Sequence, residues 1–201
     1  LANLKQARAW NPLRWPLLFS QGVRTVSTQG LEGAVMRLQV SPLHWVKPAS
    51  HPGQDIEPVG DPEPPASLPR PEKPTVSIII PVFNKWQYTA ACLRSIALST
   101  NAASFEVVVV DDGSKDETPQ RSQGIVGLEI MRNKSNVGFV GSCNAGAKAA
   151  RGQYIVLLNN DTQVLDGWLD AMLKTFEQFP DTGLVGARLV YPDGSLQEAG
   201  G

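Results

Sequence analysis

The chain has 201 residues, 42% of them apolar and 18% charged, a balance that suits a packed globular core and excludes a disordered, low-complexity chain. A formal net charge of −1 excludes the basic footprint of a nucleic-acid binder, so no nucleic-acid partner is expected. No apolar run approaches the roughly 18 residues that a membrane-spanning helix needs.

Residues 1–40 carry five basic side chains against Glu32 and mix Trp10, Trp15, Leu17, Leu18 and Phe19 among them. Val23, Val26, Leu31, Val35 and Leu38 recur loosely at helical spacing, weakened by Gly22, Gly30 and Gly33. Two readings stand: a helical piece of a preceding domain, or a basic, tryptophan-bearing element that makes peripheral contact with a membrane surface. The apolar patch at the start is broken by Arg8, Pro12, Arg14 and Pro16 and does not read as a signal peptide. Residues 41–74 hold ten of the sixteen prolines. Proline removes amide donors and forces extended backbone, which predicts a linker with no packed core.

From residue 75 onward, strands and helices alternate. Val76–Ile80 is a continuous β-branched run, as expected of a strand buried on both faces. A helix is predicted near 86–99 with Leu93, Ile96 and Ala97 on one face, then a second buried strand at Val107–Val110 and a short third at Leu128–Met131. Residues 139–150 are small and helical, which permits close packing on a sheet. Tyr154–Leu158 is a fourth strand. Leu165, Trp168, Leu169, Met172 and Phe176 follow helical spacing up to Pro180, and Leu184–Val190 is strand-like before the turn Pro192-Asp193-Gly194. The fold class predicted is α/β, a mainly parallel open sheet flanked by helices. Cys92 and Cys143, the only cysteines, lie in apolar helical patterns and read as reduced core thiols, which points to a cytoplasmic setting.

Ligands of an open α/β sheet bind outside the carboxyl ends of its strands. Polar residues do cluster there three times: Pro81-Val82-Phe83-Asn84 after the first strand, Asp111-Asp112-Gly113-Ser114 after the second, and Asn159-Asn160-Asp161 after the fourth. Asp161 has two readings, a ligand for Mg2+ or Mn2+ at a phosphate site or a cap for the following helix. Asp111 and Asp112 either cap a helix through 114–118 or accept a hydrogen bond from a nucleotide base, with Phe83 as a wall for that base. Asn136, Gly138 and Asn144 surround a predicted helix start whose amides could hold phosphate or sugar oxygens. Their spacing is neither a dinucleotide fingerprint nor a P-loop. A nucleotidyltransferase reading is weakened because no glycine- and lysine-rich loop follows the first strand.

Four stretches in order carry a resemblance: residues 75–84 (TVSIIIPVFN), 108–116 (VVVDDGSKD), 136–139 (NVGF) and 157–162 (LLNNDT). Together they resemble glycosyltransferase family 2, and residues 186–195 (GARLVYPDGS) are similar to its rhamnosyltransferase-like branch. The resemblance implies a GT-A fold over 75–201, a hexosyltransferase-type enzyme that takes a nucleotide-diphosphate sugar donor, a Mg2+ or Mn2+ cofactor, and inverting transfer to a glycan or lipid-linked acceptor. It implies that Pro81, Phe83 and Asn84 line the nucleotide pocket and that Asp112, beside Asp111, contacts the base. It places Asn159-Asn160-Asp161 at the family's Asp-x-Asp motif. Here the first acid is an amide, which leaves Asp161 as the one anionic ligand of the motif. The family's general base is expected beyond Gly201, because Glu198 does not match the base motif, so a truncated and weakly active or inactive enzyme is expected. The process implied is polysaccharide assembly for a bacterial cell envelope, cytoplasmic or peripheral at the inner membrane face. A noncatalytic nucleotide-sugar-binding or assembly module is the alternative.

Overall fold

The computed structural model describes residues 61–198, so the expectations for residues 1–40 and for the start of the proline-rich stretch lie outside the described residues. Four strands form one parallel sheet: β1 (Val76–Val82), β2 (Phe105–Asp111), β3 (Glu129–Arg132) and β4 (Tyr154–Leu157), in the order β3-β2-β1-β4. Every residue of β2, and all of β1 but Pro81, is buried, as their β-branched sequences require. Helix α1 (Trp86–Leu98) joins β1 to β2, the short α2 (Thr118–Ser122) leads towards β3, and α3 (Gly138–Ala149) crosses back to β4 on the other side of β1. Strand order therefore reverses between β1 and β4, which is where a parallel sheet opens a crevice.

Alternation along the strands splits the core in two. Val76, Ile78, Ile80 and Val82 join Val107 and Val109 in a large cluster with Trp86, Ala90, Leu93 and Ile96 of α1 and Leu169 of α4 (Trp168–Gln178). Ile79, Val108 and Val110 form the second cluster, against Ala145 and Ala150 at α3. The α3 backbone comes so close that a Cβ on Gly146 would stand 2.4 Å from Ile79 Cγ2. Buried Glu106 accepts bonds from the Ser77 hydroxyl and from the backbone and guanidinium of Arg151, which pins the approach to β4 at the rim opposite the strands' carboxyl ends. Cys92 and Cys143 are buried and free, as expected of core thiols.

Several expectations are corrected. Leu68, inside the predicted linker, is a core residue, and its neighbour Ser67 bridges Val126 in parallel. The linker's proline content forbids a helix but not an extended strap, and Gly127 admits this one: a Cβ there would meet Leu68 O at 2.1 Å. Ala97 is exposed, and Trp86 and Ala90 fill its place on the inward face of α1. Leu165 is not helical. It is 73% exposed, and α4 starts at Trp168 after Gly167, whose N–H is committed to Thr100 O. Only Leu189–Val190 of the predicted last strand is extended (β5), and it pairs antiparallel with β6 (Leu196–Glu198) in a separate ribbon rather than joining the sheet. Among the described residues no helix is long and apolar enough to cross a membrane.

Candidate functional site

Register decides where the polar strand ends go. Val82 pairs with Asp111 and Ile79 with Leu157, all in parallel, so the segments that follow β1, β2 and β4 emerge on one rim of the sheet. At the end of β1, Pro81 is half-buried and Phe83 is 49% exposed, although the strand before it is closed off from water. Asn84 and Lys85 both take the left-handed conformation, φ 57°. Such backbone persists in non-glycine residues only where neighbours hold it. Here Asn84 N–H donates to Ser114 Oγ at 2.7 Å, Lys115 N–H to Asn84 Oδ1 at 2.8 Å, and Trp86 N–H to Asp116 Oδ2 at 3.1 Å. The amide oxygen of Asn84 thus ties the β1 loop to the β2 loop.

The two aspartates after β2 are both turned inward. Asp111 accepts from Ser114 N–H and pairs with the Arg132 guanidinium, which also donates to Ser114 O. Asp112 is 4% exposed and accepts from Val137 N–H at 2.9 Å, Gly138 N–H at 2.8 Å and Asn133 Nδ2 at 2.8 Å. Burial pushes its carboxyl up, but the bonds from Val137, Asn133, Gly138 and the Ser142 hydroxyl outweigh it and hold the group below the ordinary aspartate value. Neither aspartate caps a helix over 114–118: α2 begins at Thr118, whose N–H goes to Asp116 Oδ1. At the start of α3, the N–H groups of Val137 and Gly138 are both taken up by Asp112. Asn136 sits just before that start, with Oδ1 accepting Gly138 N–H at 3.1 Å, and Asn144 lies half-buried farther along α3. A base-edge contact by Asp112 competes with these internal donors for its acceptor sites.

At the end of β4, Asn159 and Asp161 are exposed and Asn160 is half-buried. Asn160 donates through Nδ2 to Thr89 Oγ1 of α1 at 3.0 Å, so its side chain faces the helix. Asp161 caps no helix, since α4 starts seven residues later behind Gly167 at φ 72°. Among the described residues no hydrogen bond or ion pair to its carboxylate is found. Its charge is felt beneath the loop, where burial first and Asp161 second push the Cys92 thiol up to about 12. No three His, Cys, Asp or Glu residues stand together among the described residues. The donor set is therefore one carboxylate with an amide nearby, all hard oxygens. It fits a cation that takes one protein carboxylate and fills its shell with phosphate oxygens and water, as magnesium does.

The structure brings the β1 and β2 loops into direct contact and places the β4 loop on the same rim. It also reveals partners that sequence reasoning did not single out: Asp116, Arg132, Asn133 and Thr89. Arg132 and Asn133 could have been found, because they end β3 and the strand-end rule applies to them equally. Thr89 carries a weaker signal, a polar residue on the apolar face of a helix. An open groove lined by Ala91, Arg94, Leu98, Val164 and Leu165 lies along α1, away from these strand ends.

The profile of the family described as glycosyl transferase family 2 matches residues 77–200. The uncharacterized protein y4gI of Sinorhizobium fredii is 35% identical over 133 residues, covering 63% of this chain and 14% of that protein. The O-antigen biosynthesis protein RfbC of Myxococcus xanthus is 30% identical over 131 residues, 63% of this chain and 10% of that one. The chain thus spans a seventh or less of the length of these two relatives. The structure of S. aureus TarS 1-349 in complex with UDP superposes with a TM-score of 0.46 at 20% identity, covering 60% of this chain and 43% of that one. With its parallel α/β sheet and a family match over more than half its length, the chain belongs to glycosyl transferase family 2.

Proposed function

We propose that residues 75–201 are the donor-binding part of an inverting hexosyltransferase that holds a nucleotide-diphosphate sugar and a Mg2+ or Mn2+ ion at the carboxyl rim of the sheet. The observation that carries this reading is the shared rim. An exposed aromatic, Phe83, and an unpaired carboxylate, Asp161, follow the two strands that flank the reversal in strand order. Phe83 offers a face on which a base stacks, beside Pro81 and the Asn84–Lys115 junction. Asp161 and Asn159 would hold the cation, which when bound neutralises a diphosphate leaving group as a Lewis acid. Asn136 and Asn144 offer amides along the α3 side of the rim.

The acceptor proposed is a glycan or lipid-linked glycan in the assembly of a bacterial envelope polysaccharide. The name of the M. xanthus relative supports this, as does the pattern of residues 186–195. Peripheral membrane contact through residues 1–40, on the cytoplasmic side, belongs to the same proposal. The alternative of a noncatalytic binding module is favoured by one observation, the amide Asn159 where a second acid would strengthen cation binding.

A titration separates the two. Isothermal calorimetry with UDP, GDP, CDP, ADP and dTDP, each with and without MnCl2, is expected to find at least one nucleotide whose affinity rises with manganese. That increment is expected to vanish in Asp161→Ala. Saturable nucleotide binding that ignores manganese and Asp161 would favour the module, and no binding at millimolar nucleotide would count against a donor site.

A further inference from the structure

Helix α1 faces the loop after β4 with three small polar side chains spaced by three residues, Thr89, Cys92 and Ser95, and each meets a different part of that loop. Thr89 Oγ1 accepts from Asn160 Nδ2 at 3.0 Å. Cys92 Sγ–H donates to Asn159 O at 3.8 Å. Ser95 Oγ accepts Val164 N–H at 3.0 Å while it donates to Cys92 O at 2.7 Å. Residues three apart lie on one face of a helix, so these contacts form a line. Thr89 and Cys92 are fully buried, among apolar neighbours that would be better filled by valine or leucine if packing alone mattered. Within the loop, Thr162 N–H closes onto Asn159 O at 3.2 Å, which makes Asp161 the tip of a tight turn.

Asp161 has no partner of its own among the described residues, so its direction is set by the residues on either side. Asn160, immediately before it, has its side chain anchored on Thr89. Val164, three residues after it, has its amide anchored on Ser95. We propose that Thr89 and Ser95 are positioning residues: they hold Asp161 outward over the rim before any ligand arrives, with the Thr89–Asn160 bond as the main anchor. This reassigns Asn160 from a ligand contact to a link between α1 and the cation-binding carboxylate. The inference rests on the proposed donor site, since it concerns what aims Asp161 there. A lone carboxylate needs such support more than a pair would, because no second acid shares the cation when the first swings away.

The experiment uses the whole chain and two readouts. The first is the manganese-dependent gain in nucleotide affinity, measured by calorimetry with whichever diphosphate of the panel binds. The second is amide hydrogen exchange at Thr162 and Val164 without ligand. Thr89→Val keeps the shape of the side chain and removes the hydroxyl. It is expected to reduce the manganese-dependent gain about 3- to 10-fold, the size of one lost hydrogen bond. It should also speed exchange at Thr162 and Val164, and leave manganese-free affinity and the strand amides unchanged. Thr89→Ser restores both. Asn160→Ala removes the same bond from the loop side, keeps the buried face of α1 intact, and should match Thr89→Val without adding to it in the double variant. A manganese gain that survives both Thr89→Val and Asn160→Ala but is lost in Asp161→Ala would overturn the positioning role and leave the donor site standing. A gain that also survives Asp161→Ala would overturn both.

Discussion

Phe83 keeps half its surface in water just after a strand whose apolar side chains, Pro81 apart, are closed off. Removing it should therefore cost binding rather than stability. Phe83→Ala is expected to weaken nucleotide binding about tenfold, in line with roughly 1–3 kcal/mol for a base stacked on an aromatic ring, with the melting temperature nearly unchanged. Calorimetry beside thermal denaturation separates the two effects. Asp112 is the reverse case, since its carboxylate is spent inside the protein. Asp112→Asn replaces one of the two accepting oxygens with an amide donor, which faces the N–H of either Val137 or Gly138, and should destabilise the fold by about 2 kcal/mol, read from urea denaturation. The sign with pH follows from linkage. Asp112, Asp116 and Glu106 are all held below their ordinary values, because the bonds each accepts outweigh burial. Their stabilisation is complete above the unfolded values, about 4, and is lost as pH falls through the folded ones. Stability measured from pH 6 down to 3 should fall below about pH 4, and less steeply in Asp112→Asn.

At the scale of elements, α3 shows packing overriding local preference. Alanine at position 146 would gain about 1 kcal/mol of helix propensity over glycine. Its Cβ, however, would meet Ile79 Cγ2 at 2.4 Å and Val110 Cγ2 at 2.9 Å, both branched tips inside the second cluster. Gly146→Ala is accordingly expected to be net destabilising, by about 1–2 kcal/mol in a denaturant titration, because overpacking outweighs the gain. The small residues of 139–150 announced this close contact in the sequence. The strands β1 and β2 were legible for a similar reason: burial on both faces leaves continuous apolar runs. The partly buried β4 carries an apolar run as well, and a parallel sheet sends the polar ends of all three to one rim. Partners far along the chain were not legible. The internal donors to Asp112, the N–H groups of Val137 and Gly138, lie about 25 positions later and leave no mark near it in the sequence. Leu165 fits helical spacing, yet the bond from Gly167 to Thr100 fixes where α4 begins. Residues 184–188 have strand composition but pair with no strand among the described residues.

For the molecule as a whole, the folded unit reaches past the family match at residue 77 to include the strap from residue 61. Leu68 sits in the core, Leu68 N–H bonds Val126 O at 2.8 Å, and Arg70 pairs with Glu129 on β3. Leu68→Ala should cost about 2–4 kcal/mol, as for other leucine truncations in a core, whereas a mere linker would tolerate it. The donor reading needs more than a stable sheet, because it requires the loops after three separate strands to lie around one nucleotide and its ion. Manganese relaxes nearby amide protons, so an amide NMR spectrum of the chain, saturated with a binding nucleoside diphosphate and titrated with MnCl2, shows directly which segments lie close to the cation. Signals from 83–86, 112–115 and 159–162 are expected to broaden together while those of the opposite rim, around Glu106 and Arg151, stay sharp. Broadening confined to one of these loops, or strongest at the opposite rim, would contradict a shared donor site.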